Sequence, residues 1–151
     1  MRMTVYTDYA LRVLMFLSGT GQTPVPLRAI AAFHDISEEH VRKAAHELVQ
    51  RGYLTSYRGR TGGVTLARAP EDINVGEVVR ALERVELVGC MQGERATCTL
   101  MPGCRLSGAL SLAAERFLQT LDDYSLADLV APPGAPSRAP EPPRAPDAPP
   151  G

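Results

Sequence analysis

In the first third of the chain, apolar residues recur at helical spacing. Ala10, Leu11, Leu14, Met15 and Leu17 predict a helix from a Thr7 cap to about Leu17, stopped by Gly19 and Gly21. After Pro24 and Pro26, the stretch L-R-A-I-A-A-F has the length and pattern of a short second helix, with Pro26 tolerated near its first turn. The segment H-D-I makes the turn that follows. Ser37 then caps a third helix, S-E-E-H-V-R-K-A-A-H-E-L-V-Q-R-G, whose Val41, Ala44, Ala45, Leu48 and Val49 form one apolar face and which Gly52 closes. Two helices joined this tightly read as a helix-turn-helix. The next residues, Y-L-T-S-Y-R-G-R-T-G-G-V-T-L, alternate apolar and polar on both sides of a Gly-rich turn, the pattern of a two-stranded hairpin, or wing.

Downstream, Asn74 is placed to cap a helix through about Leu87. Gly89, Gly93, Pro102 and Gly103 then break the pattern before a longer helix from about Arg105 to Asp122. Leu106, Leu110, Leu112, Ala113, Phe117 and Leu121 give that helix more apolar surface than one monomer can cover, which predicts an isologous homodimer. The fold class expected is mainly α: a winged helix-turn-helix with a two-stranded β wing and a long dimerisation helix. Residues 1–69 form the DNA-binding head, 70–130 the cysteine segment and dimer helix, and 131–151 a tail. The tail holds most of the 13 prolines and almost no large apolar side chain, so it is expected to stay disordered.

The net charge of −1 hides an asymmetry. Residues 1–69 carry 9 Lys and Arg against 5 Asp and Glu, while residues 70–131 carry 5 against 10. A basic head on an acidic body suits attraction to phosphates, and double-stranded DNA is the partner this implies. A recognition helix entering the major groove N-terminus first would present Ser37, Glu38, His40, Arg42 and Lys43. On the wing, Arg58 and Arg60 flank Gly59, with Thr61 beside them; such a pair suits a narrow minor groove. The bland alternative is that Glu38 with Arg42 and Glu39 with Lys43 are ordinary i,i+4 pairs on a solvated face. His34 and His46 read as turn or surface residues.

All three cysteines, Cys90, Cys98 and Cys104, stand in G-C-M-Q-G-E-R-A-T-C-T-L-M-P-G-C. A C-x7-C-x5-C run supplies three soft thiolates, whereas zinc or an iron–sulfur cluster takes four ligands, so a fourth comes from elsewhere. Neither a signal-peptide core nor a membrane-length apolar run is present, which predicts a cytoplasmic protein without membrane partners. In that compartment clustered cysteines favour metal or redox chemistry over disulfides.

T-D-Y-A-L-R-V-L near the N-terminus, Y-R-G-R-T-G-G in the wing and the three cysteines occur in the order found in the Rrf2 family of bacterial regulators, which the chain resembles over about residues 1–130. Within it the chain looks most like the nitric-oxide-sensing iron–sulfur repressors. The family's iron–sulfur-biogenesis regulators complete their site with a histidine soon after the last cysteine, but here R-L-S-G-A-L-S follows Cys104. The resemblance instead implies a [4Fe–4S] cluster held by Cys90, Cys98, Cys104 and Asp8, the carboxylate coming from the opposite subunit. Nitric oxide would then release a palindromic operator and derepress detoxification genes. Without the resemblance, Asp8 reads as a helix partner of Arg12 or as a charge favoured by the helix dipole.

Three rival readings remain. The first is an Rrf2-type regulator sensing iron or redox state through another cluster; the second is a zinc-stapled module recruiting partners through the tail. The third, an enzyme, is less expected, since no Ser-His-Asp order, phosphate loop or paired catalytic carboxylates can be placed.

Overall fold

A computed structural model of the protein describes residues 3–59, 61–85 and 104–132. Cys90, Cys98, Arg60 and the tail from residue 133 lie outside the described residues. In chain order the elements are α1 (Val5–Ser18), α2 (Leu27–His34), α3 (Glu38–Gln50), β1 (Leu54–Tyr57), β2 (Gly63–Leu66), a single 3₁₀ turn (Pro70–Asp72), α4 (Val75–Leu82), α5 (Arg105–Asp122) and α6 (Leu126–Val130). The architecture is mainly helical with one two-stranded antiparallel sheet, the fold class read from the sequence. Among the described residues no helix is long and apolar enough to cross a membrane.

One core serves the helices and the wing, apart from α5. Ala10, Val13, Leu14 and Leu17 of α1 meet Ile30 and Ala31 of α2, Val41, Ala44, Ala45 and Leu48 of α3, and Leu54, Val64 and Leu66 of the wing. Ile73, Val78 and Leu126 join the same cluster, so α4 and α6 close over the far side of α1. In the wing, Leu54 pairs with Leu66 and Tyr57 with Gly63. Val25 and Val64 exchange two backbone hydrogen bonds, 2.9 and 3.0 Å, which pin β2 to the residues that lead into α2.

Three expectations are corrected. Helix α1 begins three residues early: Thr4, not Thr7, is its N-cap and accepts from the Thr7 amide at 3.3 Å, while Thr7 is buried in the first turn. Helix α4 ends at Leu82 rather than near Leu87, because Glu83 takes an extended conformation (φ −116°, ψ 142°). Helix α6 is not among the elements the sequence predicts; its five residues are too few to show a period, and only the capping box of Ser125 with Asp128 marks it.

The α5–α6 corner is stitched to the start of α4. The Val75 amide donates to the Tyr124 carbonyl at 2.9 Å, the Leu126 amide to the Ile73 carbonyl at 2.8 Å, and the Asn74 side chain to the Asp122 carbonyl at 2.6 Å. Arg80 forks onto both carboxylate oxygens of Asp122. Gly76 lets this happen, since a Cβ there would run into Asp122.

Candidate nucleic-acid interface and metal centre

Helix α2 ends on Asp35 in the left-handed region (φ 52°), a conformation that Asp tolerates better than most residues. That turn delivers Ser37, whose Oγ accepts from the His40 amide at 3.3 Å and starts α3. Glu38, Arg42 and Lys43 are exposed on α3, as the sequence expects of a reading face. The i,i+4 pairs also form: Arg42 to Glu38 at 2.6 Å and Lys43 to Glu39 at 2.9 Å. Hydrogen bonding and then the charge of Lys43 hold the Glu39 carboxyl below its ordinary range. Water screens exposed pairs of this kind and leaves them weak, so a phosphate can displace either carboxylate at small cost.

His40 has a second attachment. Its ring packs against Tyr9 of α1, with centroids 5.5 Å apart, and the Tyr6 hydroxyl donates to the Lys43 carbonyl at 3.2 Å. Helix α3 is therefore tied to α1 by these two contacts in addition to the shared core. His34, expected in a turn or at the surface, has its Nε2 buried without a hydrogen-bond partner beside Phe16 and Phe33.

On the wing, Arg58, Gly59 and Thr61 are exposed at the tip, and Gly59 takes φ 106°, which a side chain would strain. Arg60 lies outside the described residues. A groove of about 430 Å³ runs between the tip-side end of the wing and the starts of α2 and α3, lined by Arg28, Glu38, Ser56, Tyr57, Gly62 and Gly63 among others. The sequence reading does not single out Arg28 or Tyr57. Arg28 is legible as a basic residue in the first turn of α2, and Tyr57 as an outward position of β1; only the fold brings them to one groove with Glu38.

Of the candidate metal ligands, Asp8 and Cys104 are described. Asp8 stands in the first turn of α1 and accepts from Arg12 Nε at 2.9 Å, both side chains being 45% exposed. Cys104 is the N-cap of α5, a free thiol that makes no cap hydrogen bond. Among the described residues no three His, Cys, Asp or Glu side chains converge on a metal position, and Cys90 and Cys98 lie outside them. The donor set nonetheless fits an iron–sulfur cluster. Among the described residues the Cys104 thiol makes no cap hydrogen bond and the Asp8 carboxylate is engaged by the exposed pair with Arg12, and the first turn of α5, without a side-chain cap, offers amides and a positive dipole end to an anionic group.

A family model described as "Rrf2: Iron-dependent Transcriptional regulator" matches residues 3–132. The proteins called HTH-type transcriptional regulator NsrR from Geobacillus kaustophilus and Bacillus subtilis are 46% and 42% identical over 132 residues, which is 86% of this chain and 90% of each relative. Among solved structures, T. potens IscR matches with a TM-score of 0.70 at 25% identity, over 86% of both chains. CymR, the global cysteine regulator of B. subtilis, also gives 0.70, at 23% identity over 86% of this chain and 96% of that one, and shows the shared fold. The family description and the names of the NsrR relatives are those of regulators of transcription, not enzymes. With the wing, the helix-turn-helix and the match over residues 3–132, the chain belongs to the Rrf2 family of transcriptional regulators.

Proposed function

We propose that the protein is a cytoplasmic, DNA-binding transcriptional repressor that acts as a homodimer and senses nitric oxide through a [4Fe–4S] cluster. Cys90, Cys98 and Cys104 would hold the cluster, with Asp8 of the opposite subunit as fourth ligand. When bound, the cluster supplies iron that nitric oxide attacks, and a carboxylate, hard among soft thiolates, is the ligand most readily lost. The kinship with regulators called NsrR supports this signal, and the genes controlled would be those of nitric-oxide detoxification.

One observation carries the coupling between signal and DNA. Asp8 stands on α1 between Tyr6 and Tyr9, whose side chains both engage α3. A change in what Asp8 binds is thus delivered to the helix that reads DNA. The pair with Arg12 is the alternative engagement open to a released Asp8 carboxylate. The apolar arc of α5 pairs with its equivalent in a second copy, setting two recognition helices roughly 34–36 Å apart on a palindromic operator. Ser37, Glu38, His40, Arg42 and Lys43 on α3 and Arg58, Gly59, Arg60 and Thr61 on the wing form the contact surface, joined by Arg28 and Tyr57.

The family description, an iron-dependent regulator, favours a second reading in which loss of the cluster itself, under iron or redox stress, is the signal. Operator DNA selected from a random pool by the cluster-loaded protein separates the two. Release by nitric oxide under anaerobic, iron-replete conditions supports the first reading. Release only on iron chelation or oxidation supports the second and contradicts the first.

A further inference from the structure

Glu83 ends α4 and stands seven positions before Cys90. Its Oε1 accepts from the Thr4 amide at 2.5 Å and from the Thr4 hydroxyl at 2.7 Å. Thr4 is the N-cap of α1, and its own Oγ1 accepts from the Thr7 amide. The positive end of α1 is therefore met by a carboxylate that a different helix supplies from 79 positions away. Partial burial works to raise the Glu83 pKa, but hydrogen bonds from Thr4 and Thr7 outweigh it and hold the carboxyl below its ordinary value.

The position of this contact matters as much as its chemistry. Its extended backbone makes Glu83 the point where α4 gives way to the segment that leads to the cysteines. On the other side of the contact, the first two turns of α1 carry Tyr6, Asp8 and Tyr9, and through Tyr6 and Tyr9 they grip α3. Arg80, the charged residue in the second half of α4, faces Asp122 instead of α1.

We infer that Glu83 is a positioning residue that clamps the N-terminus of α1 and so couples the cysteine segment to the reading head within one subunit. A displacement of the cysteine segment pulls on Thr4 through Glu83, and α1 passes it to α3 through Tyr6 and Tyr9. This rests on the function proposed above and adds an intrasubunit route beside the ligand exchange at Asp8.

The test uses the full chain, anaerobically purified, as wild type, Glu83→Ala and Glu83→Gln, each with its cluster and after removal by chelation. Three quantities are read: the visible spectrum, operator affinity in both states, and hydrogen exchange at the amides of residues 5–8. Glu83→Ala is expected to keep the wild-type spectrum, while the ratio of loaded to stripped affinity falls about 3- to 10-fold. Exchange at residues 5–8 should quicken and cease to respond to cluster removal. Glu83→Gln, which keeps an acceptor for Thr4, should recover part of both effects. An equal loss of affinity in both states, an unchanged ratio, or loss of the cluster spectrum would each overturn the inference. A wild type with no cluster spectrum, or with equal affinity in both states, removes the sensor reading and this inference with it. Unchanged exchange in Glu83→Ala removes the clamp alone.

Discussion

Helices α3 and α5 are both amphipathic, yet they are packed very differently. Helix α3 spends its apolar face on the core: Val41, Ala44, Ala45 and Leu48 are buried between α1, α2 and the wing. Helix α5 is longer, 18 residues, but only Ala114 is buried, and Leu106 and Leu112 remain 65% and 59% exposed. The head is complete within one chain. The long helix is anchored at its C-terminal end, by Arg80 on Asp122 and by the close approach at Gly76, and carries an apolar arc that finds no partner among the described residues. An unspent arc on a helix this long is what the proposed homodimer would cover.

The contrast can be broken most forcefully from the head. Leu48→Ala removes a fully buried side chain and should lower stability by about 2–5 kcal/mol, read by chemical denaturation. The matching change on α5, Leu112→Ala, should leave the stability of a dilute monomer within about 0.5 kcal/mol, as expected of an exposed position. Equal losses at the two sites would show that α5 is packed after all.

Charge placed on the arc sharpens the comparison. Leu106→Glu with Leu112→Glu should dissociate the proposed homodimer, with sedimentation reporting a dimer constant weakened at least about tenfold, which is about 1.4 kcal/mol. The melting profile of the head should persist. A smaller effect is expected at the start of the reading helix, where Ser37→Ala removes the acceptor for the His40 amide and should cost about 1 kcal/mol. Sedimentation of that variant should match the wild type.

The smallest effect is a pH dependence at the α1–α4 contact. Glu83 is held below its ordinary value of 4.5, so its stabilising contribution is present above that pH and disappears as pH falls through the lower folded value. The difference in melting temperature between wild type and Glu83→Gln should therefore be constant from neutral pH to about 5 and vanish on further acidification. A difference that grows on acidification would contradict the assigned direction.

Much of the head is legible in the sequence because its helices carry strong periods and explicit caps. Ser37, Asn74 and the turn glycines place α3, the start of α4 and the wing to within a few residues. What escapes depends on contacts distant in sequence. Thr4 caps α1 with Glu83 beside it, a pairing across 79 positions that no local pattern displays, so Thr7 reads as the better cap. The end of α4 at Leu82 reflects that same contact: Glu83 turns its carboxylate to Thr4 in an extended conformation, although R-A-L-E-R-V-E-L reads on as helix. Arg28 and Tyr57 become candidates only when the Val25–Val64 bridge draws α2 and the wing to one groove. The cysteines are the plainest chemical signal in the sequence. Their fourth ligand is not readable from spacing at all and comes from the resemblance of T-D-Y-A-L-R to the family.

The most direct test of the sensor reading is native mass spectrometry of the anaerobically purified protein before and after stepwise addition of nitric oxide. A dimer carrying one [4Fe–4S] cluster per subunit, converted to nitrosylated species as nitric oxide is added, is the expected result. A dimer that carries zinc, or a cluster that nitric oxide leaves unchanged, would contradict it.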